Sequence, residues 1–410
     1  MEDHVTTTET GTCPFAHTYP LGEAAELDFD PGYAELRREE PLARIQMPYG
    51  EEGWLVTRYD DVRTVLSDPR FSRAAVVGAD IPRTVPERPG RPETIVNIDP
   101  PEHGRLRRLV AATFTARRME QMRPHVEEIA DRLVDELIEG GKPGELVSTV
   151  SMPLPVVVIC EMLGVPLEGR DIFRAGADAA LSTSAIPVER RQQAFVDLSN
   201  YIASLIDERR NRPEGPGDDL IGGLIQARDG DGDRLSEPEM VSLGVAILVA
   251  GHETTMNMIG NMVYTLLSDR SRWEALVANP DGVPAAVEEM LRFTPLGRQG
   301  GQPRIATEDV ELTGGTVRAG EAVLVSTNAA NRDPEVFEHP EELRLDRTPG
   351  AHVAFGFGPH HCLGASLARM ELQTVLRTLA TKLPTLDVSG DVEWRTTSIV
   401  RGPARLTVTW

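Results

Sequence analysis

Lysine is almost missing from this chain: of 42 basic residues only Lys142 and Lys382 are lysine, and the other forty are arginine. Such a bias reflects a G+C-rich coding sequence and makes no case for a basic binding surface. Cysteine is scarce too. Cys13, Cys160 and Cys362 are far apart and odd in number, so no disulfide framework is implied and a reducing cytoplasm is the expected location. Long apolar runs are absent. The longest, Val241 to Gly251, has eleven residues, and another, Met152 to Leu167, is broken by Pro153, Pro155 and Glu161; neither can span a bilayer, so no membrane anchor is expected. Positive charge is in deficit, with 64 acidic against 42 basic side chains and a formal charge of −22. That balance disfavours nucleic acid or an anionic membrane as the main partner. The first residues carry neither a basic nor an apolar segment, so no signal peptide is expected and residues 1–20 read as a polar, mobile lead.

What is present centres on ten residues, Phe355-Gly356-Phe357-Gly358-Pro359-His360-His361-Cys362-Leu363-Gly364. They lie between a turn-rich loop and a helical run from Ala365 to Thr381, which places Cys362 where a Gly/Pro loop opens a helix. The first amides of a helix have no intrahelical partners and favour an anion such as a thiolate. Glycines let backbone approach closely, so the sulfur could be wrapped by amide donors and offered to a flat partner. An inert core thiol is the bland alternative. Zinc is disfavoured, because no second cysteine pair supplies four-ligand spacing.

This stretch fits Phe-x-x-Gly-x-x-x-Cys-x-Gly, and the chain resembles the cytochrome P-450 family of haem-thiolate monooxygenases, soluble bacterial type. The resemblance implies a mainly α fold with a smaller β region, with haem b between a long central helix and the helix after the cysteine loop. It implies Cys362 as the proximal iron ligand, Phe355 beneath the macrocycle, His360 on a propionate and Gly364 in the loop that cradles the group. The length of 410 residues alone suggests about two or three domains. The motifs from His103 to Cys362 converge on one macrocycle, so a single domain over residues 21–410 is expected.

Further motifs follow in chain order. Helices are expected over Tyr33 to Arg38 and Tyr59 to Ser67, with strands over Ala43 to Met47 and Trp54 to Thr57. Residues 73–97 hold four prolines and read as a long irregular loop. By resemblance it covers the substrate, with Val85, Ile95 and Val96 as contacts. Asp99-Pro100-Pro101-Glu102 begins a helix on which His103 and Arg107 share a face. Spacing alone fits an exposed basic helix; resemblance places both on a haem propionate. Residues 103–123 carry six arginines against one acid, Glu120. They read either as a solvated face or as a basic patch that steers an acidic ferredoxin. Amphipathic helices follow over Arg117 to Glu139, Leu154 to Leu163, Phe173 to Leu181 and Ala194 to Arg210. The break from Ser182 to Pro187, including Ile186, suggests a lid between two of them.

Ser236-Glu237-Pro238-Glu239 caps the longest expected helix, which runs to about Ser268 and is apolar nearly all round. Inside it sits Ala250-Gly251-His252-Glu253-Thr254-Thr255. Threonine can bond back to the carbonyl four residues earlier and bend the helix, while Gly251 removes a side chain there. A structural kink and a ligand-sized notch fit equally. The resemblance implies that the notch receives dioxygen, with Thr254 hydrogen-bonding it and Glu253 relaying protons from solvent. Glu289 and Arg292 match the family's structural Glu-x-x-Arg, with Arg347 as the expected third member. Arg304 resembles the arginine of the second propionate. The Pro295 to Pro303 linker, including Leu296, is expected to line the pocket. Thr396 to Val400 and Ala404 to Thr409 are expected to form a final strand pair that brings Ile399 into it.

The implied reaction inserts one atom of O2 into a C–H or C=C bond of an apolar small molecule, free or tethered to a carrier protein. No flavin or nucleotide segment is visible, so a separate ferredoxin and its NAD(P)H-dependent reductase are implied, acting on a monomer. By analogy of family and composition the substrate is a polyketide, macrolide, peptide or terpene. Oxidative coupling or bridge formation, or haem binding without turnover, are the alternative readings.

Overall fold

The computed structural model describes residues 16–22, 26–90, 92–166, 170–181, 186–213, 215–217, 219–229, 235–298, 301–348 and 350–410. Cys13 and the break at 182–185 lie outside the described residues, as do Gln299 and Gly300 of the linker. Helices dominate. α1 (Gly32–Glu39) and α2 (Tyr59–Ser67) bracket two strands near the start, and α3 (Glu102–Ala111) follows the long loop. Then come α4 (Ala116–Glu139), α5 (Pro153–Leu163), α6 (Arg170–Leu181), α7 (Val188–Arg210) and α8 (Leu220–Asp229). α9 (Glu237–Leu267), α10 (Arg270–Ala278) and α11 (Val283–Phe293) lead to the short α12 (Thr327–Ala330) and to α13 (Ala365–Lys382).

The 31-residue α9 starts at a full capping box: Ser236 Oγ accepts from the Glu239 amide, and Glu239 Oε2 accepts from the Ser236 amide at 2.6 Å. A helix apolar on nearly every side must be covered on nearly every side, and α9 packs against α5, α6, α7 and α13. α13 lies in turn against α4 and α11. These helices share the largest hydrophobic cluster, in which Cys160 is fully buried as a small apolar side chain.

The β region is built around a mixed six-stranded sheet. Its order is His17–Thr18, Leu42–Gln46, Gly53–Val56, Ala322–Val325, Arg304–Ala306 and Phe71–Ser72. The last two strands run antiparallel, with Ser72 opposite Ile305 and Phe71 opposite Ala306. One more step along that register sets Arg73 opposite Arg304, two cations far apart in sequence. The expected strand over Thr396 to Val400 is not formed. Pro403–Arg405 pairs instead with Glu393–Trp394, and Thr407–Thr409 pairs with Asp387–Val388 and Gly144–Glu145. Between them the chain turns to meet the linker, making one isolated bridge from Val400 to Gly297.

Among the described residues, one buried carboxylate of α13 meets no counter-charge. Glu371 of α13 is 1% exposed, its Oε2 has no hydrogen-bond partner, and burial pushes its carboxyl well above the ordinary range. The unfolded chain therefore loses this proton at lower pH than the folded chain. Stability falls as pH rises between the two values, by up to about 1.4 kcal/mol per pH unit. Glu371→Gln should remove this loss, so its advantage over the wild type in urea unfolding should grow from pH 5 to pH 8. An advantage that stays constant with pH would show that Glu371 ionises as an ordinary carboxylate.

Candidate functional site

Gly356 and Gly358 of the cysteine loop both have left-handed backbone, at φ +74° and +71°. At Gly358 a Cβ would lie 2.7 Å from the Leu66 carbonyl oxygen at the end of α2, so glycine is required both by conformation and by space. The loop then folds back, and the Cys362 amide donates to the Phe355 carbonyl at 2.9 Å. The Cys362 side chain is accessible, yet protein closes round its other sides. That burial pushes the thiol up, while the Gly364 amide and the Arg107 and Arg369 guanidinium groups pull it down. Burial outweighs them, so the amide and cations reduce, without cancelling, the cost of an anionic sulfur at this position.

Around the loop gathers an excess of positive charge. The His103 and His360 rings stand 4.1 Å apart between centroids. Burial, then His103, Arg304 and Arg73, drive the His360 imidazole down to about 3. Burial and Arg304 lower the Arg73 guanidinium to about 9, and burial lowers that of Arg304 to about 10. Burial also lowers Arg107, which Cys362 opposes. Asp99 is the acid that offsets this group. Its carboxylate is engaged by the Ser72 hydroxyl and by the Arg73 and Ala74 amides.

Sequence reasoning named His103, Arg107, Arg304 and His360 but missed Arg73 and Asp99. Arg73 is 3% exposed. Its guanidinium donates to Val96 O at 2.8 Å, Asn97 Oδ1 at 2.8 Å, Gln302 Oε1 at 3.1 Å and the Pro303 carbonyl. It therefore staples the long loop to the linker before Arg304. The signal lay in strand register, which no local pattern shows.

The notch region of α9 remains continuous helix. Thr254 Oγ1 donates to Ala250 O at 2.8 Å and Thr255 Oγ1 to Gly251 O at 3.3 Å, the back-bonding expected of threonine. Gly251 has a packing reason as well, because a Cβ there would meet Ile159 Cδ1 of α5 at 3.0 Å. Glu253 is 2% exposed, and its Oε1 accepts from Arg395 Nη1 at 2.9 Å. Arg395, at the end of the Glu393–Trp394 strand, was not foreseen.

Glu289 and Arg292 are buried and joined by two 2.8 Å hydrogen bonds. Arg347 completes the expected trio at 3.0 Å from Glu289 Oε2, and Arg292 also donates to the Asn331, Pro340 and Glu342 carbonyls. The substrate candidates converge in part. The Arg298 amide donates to Ile399 O at 3.0 Å and the Arg401 amide to Leu296 O at 2.7 Å, which sets Leu296 and Ile399 on adjoining backbone. Val96 is 43% exposed, whereas Ile95 packs on the main core. Val85 and Ile186 are half-buried in the long loop and just before α7.

The basic patch is smaller than expected. Arg105 is neutralised by Glu102 and by Glu239 of α9, Arg123 pairs with Glu120 at 2.8 Å, and Arg107 is turned toward Cys362. Arg108 and Arg117 remain as its exposed members.

The sequence profile described as Cytochrome P450 matches residues 282–384. Along nearly the whole chain, the protein is 48% identical to nocardicin C N-oxygenase of Nocardia uniformis subsp. tsuyamanensis, over 96% of this chain and 98% of that one. The chain belongs to the cytochrome P450 family. It is also 46% identical to mycinamicin IV hydroxylase/epoxidase of Micromonospora griseorubida, with the same shares covered. A crystal structure of the LnmA cytochrome P450 hydroxylase, from the leinamycin biosynthetic pathway of Streptomyces atroolivaceus S-140, superposes with TM-score 0.89. That protein is 47% identical, and the match covers 96% of this chain and 100% of the other. The protein is thus a P450 monooxygenase, an oxidoreductase that uses haem b and O2. No helix among the described residues is long and apolar enough to cross a membrane.

The residues of this P450 fit haem b. Buried Arg73 and Arg304, with half-buried Arg107, present more positive charge than Asp99 offsets, which two propionates would balance, and the neutral His103 and His360 rings add hydrogen-bond donors. Removing one member of the buried Glu289 trio should cost about 3–5 kcal/mol, because Arg292 would be left charged and unpaired. Glu289→Ala should therefore lower both the urea midpoint and the fraction of purified protein that carries haem. Unchanged values for both would show that the trio does not hold the loop.

Proposed function

We propose that this P450 acts as a cytoplasmic monomer that inserts one atom of O2 into a C–H or C=C bond of an apolar secondary metabolite. Its electrons come from a ferredoxin and an NAD(P)H-dependent ferredoxin reductase. The observation that carries the reading is Glu253, a buried carboxylate in mid-helix beside the Thr254 hydroxyl. Placing an acid there is costly unless it is used, and proton delivery is a use that fits. The relatives are named for hydroxylation, epoxidation and N-oxygenation, which supports oxidation of a natural product.

When bound, the haem supplies the oxygen-activating chemistry. Cys362 would hold its iron as a thiolate, favoured by the Gly364 amide and two guanidinium groups. His103, Arg107, Arg304 and His360, with Arg73, would hold the propionates and so fix the orientation of the ring. Glu253 receives protons from the side where Arg395 reaches solvent, and Thr254 can give up its bond to Ala250 O to pass one on. Leu296 and Ile399 form an apolar wall that positions the substrate and excludes water. Exposed Arg108 lies on α3, whose His103 stands against His360 of the cysteine loop, and Arg117 opens α4; an acidic ferredoxin can dock on this side.

Thr254→Ala should lower product formed per NAD(P)H about tenfold or more, with hydrogen peroxide released instead; unchanged coupling would remove Thr254 from proton delivery. Titrating the ferric protein with apolar natural products, some free and some carrier-bound, and following the Soret band tests the substrate class. A low- to high-spin shift with one class supports it. A shift with none of them would argue against an apolar metabolite.

A further inference from the structure

Next to Glu289 on α11, Glu288 belongs to a second and separate charge network. Its Oε1 accepts from Arg369 Nε at 2.7 Å and its Oε2 from Arg369 Nη2 at 3.0 Å, a two-pronged contact that reaches across to α13. His352, in the loop before the cysteine stretch, completes the network with Nε2 3.1 Å from Glu288 Oε2. The tautomer follows from the neighbours. The Ala354 amide donates to His352 Nδ1 at 3.3 Å, so Nδ1 accepts and the proton sits on Nε2, pointing at Glu288. The network therefore joins a carboxylate, a guanidinium and an imidazole. Burial works to raise the Glu288 carboxyl, but the His352 and Arg369 hydrogen bonds outweigh it and hold it at about 2.

Its position gives this balance a consequence. The Arg369 guanidinium lies 4.5 Å from the centre of the Phe355 ring, and the Phe355 carbonyl receives the Cys362 amide. Arg369 and Arg107 are the cations whose fields reach the Cys362 sulfur. Arg369 differs from Arg107 in being tied to a carboxylate. We propose that Glu288, Arg369 and His352 are positioning residues that set the electrostatic field at Cys362, and through it the reduction potential of the iron. Glu288 trims the field of Arg369 so that the sulfur stays a strong donor, and His352 holds Glu288 on the loop that carries Phe355. The inference rests on Cys362 as the iron ligand.

The test is an equilibrium redox titration of the purified haem-loaded protein, without ferredoxin or substrate. Glu288→Gln leaves the Arg369 charge uncompensated and should move the midpoint potential in the positive direction. Arg369→Gln leaves Glu288 uncompensated and should move it in the negative direction. The double variant should fall between the two, and Arg369→Lys should restore most of the wild-type value. Damage to packing alone would not give opposite signs from the two members of one ion pair. Shifts of the same sign, or none, would overturn the proposal. If Glu288→Gln does not retain haem, the negative shift of Arg369→Gln and its rescue by lysine decide the question. Ferrous–CO spectra of the same samples and of Cys362→Ala test the ligand assignment separately. A thiolate-type spectrum that persists without Cys362 would remove that assignment, whereas a normal spectrum with unmoved potentials would overturn the tuning network alone.

Discussion

Uncompensated positive charge beside the cysteine loop is the constraint on which the rest of the architecture depends. Arg73 and Arg304 come from the edge of the sheet and Arg107 from α3, with the neutral His103 and His360 rings beside them; Asp99 offsets the first two and Cys362 faces the third. Like charges held this close inside protein raise the energy of the fold unless an anionic partner joins them. The haem of a P450 carries two such anions. The six-stranded sheet thus does more than cover one edge of the helices: the pairing of its last two strands brings Arg73, just past one of them, close to Arg304 at the start of the other. The same buried Arg73 secures the long loop through Val96 and Asn97. The positive charge beside the cysteine loop and the order of the long loop therefore share one side chain.

On the other side, α9 meets a different constraint. It must be apolar to run through the helical core, yet it carries Glu253 and two threonines. Each is satisfied locally, the threonines by back-bonding to carbonyls and Glu253 by Arg395 from the C-terminal hairpin. The hairpin end is in turn fixed to the linker, since Arg298 donates to the Arg395 carbonyl and the Ile399 carbonyl receives the Arg298 amide. The adjoining backbone of Leu296 and Ile399 and the buried acid are thereby parts of one connected unit. Beneath the loop, consecutive glutamates on α11 are divided between two networks: Glu289 fastens the meander through Arg292 and Arg347, and Glu288 faces Arg369 and His352.

Much of this was legible in the sequence, because several signals are local. The capping box before α9, the alternation of the first strands and the spacing of the cysteine loop each depend on residues within a few positions of one another. The Glu289, Arg292 and Arg347 trio was legible by family pattern. What escaped was non-local. Arg73 and Asp99 look like ordinary loop residues until strand pairing sets them beside Arg304, and Arg369 looks like a solvated helix residue until α11 brings Glu288 to it. The stretch from Thr396 to Val400 has strand-like composition, but its backbone is taken up by the linker, a competition that propensity does not register. The basic patch shrank for a similar reason, because Glu239 reaches Arg105 from another helix.

The sequence by itself determined the helical class, the cysteine loop with its obligatory glycines, the polar insertion in an apolar helix and the family. All of these are properties of residue type at short spacing. Only the tertiary structure decided which charges compensate which: Arg395 for Glu253, Arg369 for Glu288, and Asp99 against Arg73 and Arg304 beside a histidine pair. Ion pairing depends on distances of a few ångströms between groups that the chain separates by up to hundreds of residues. Nothing in a one-dimensional pattern fixes those distances until strand register and helix packing have been set.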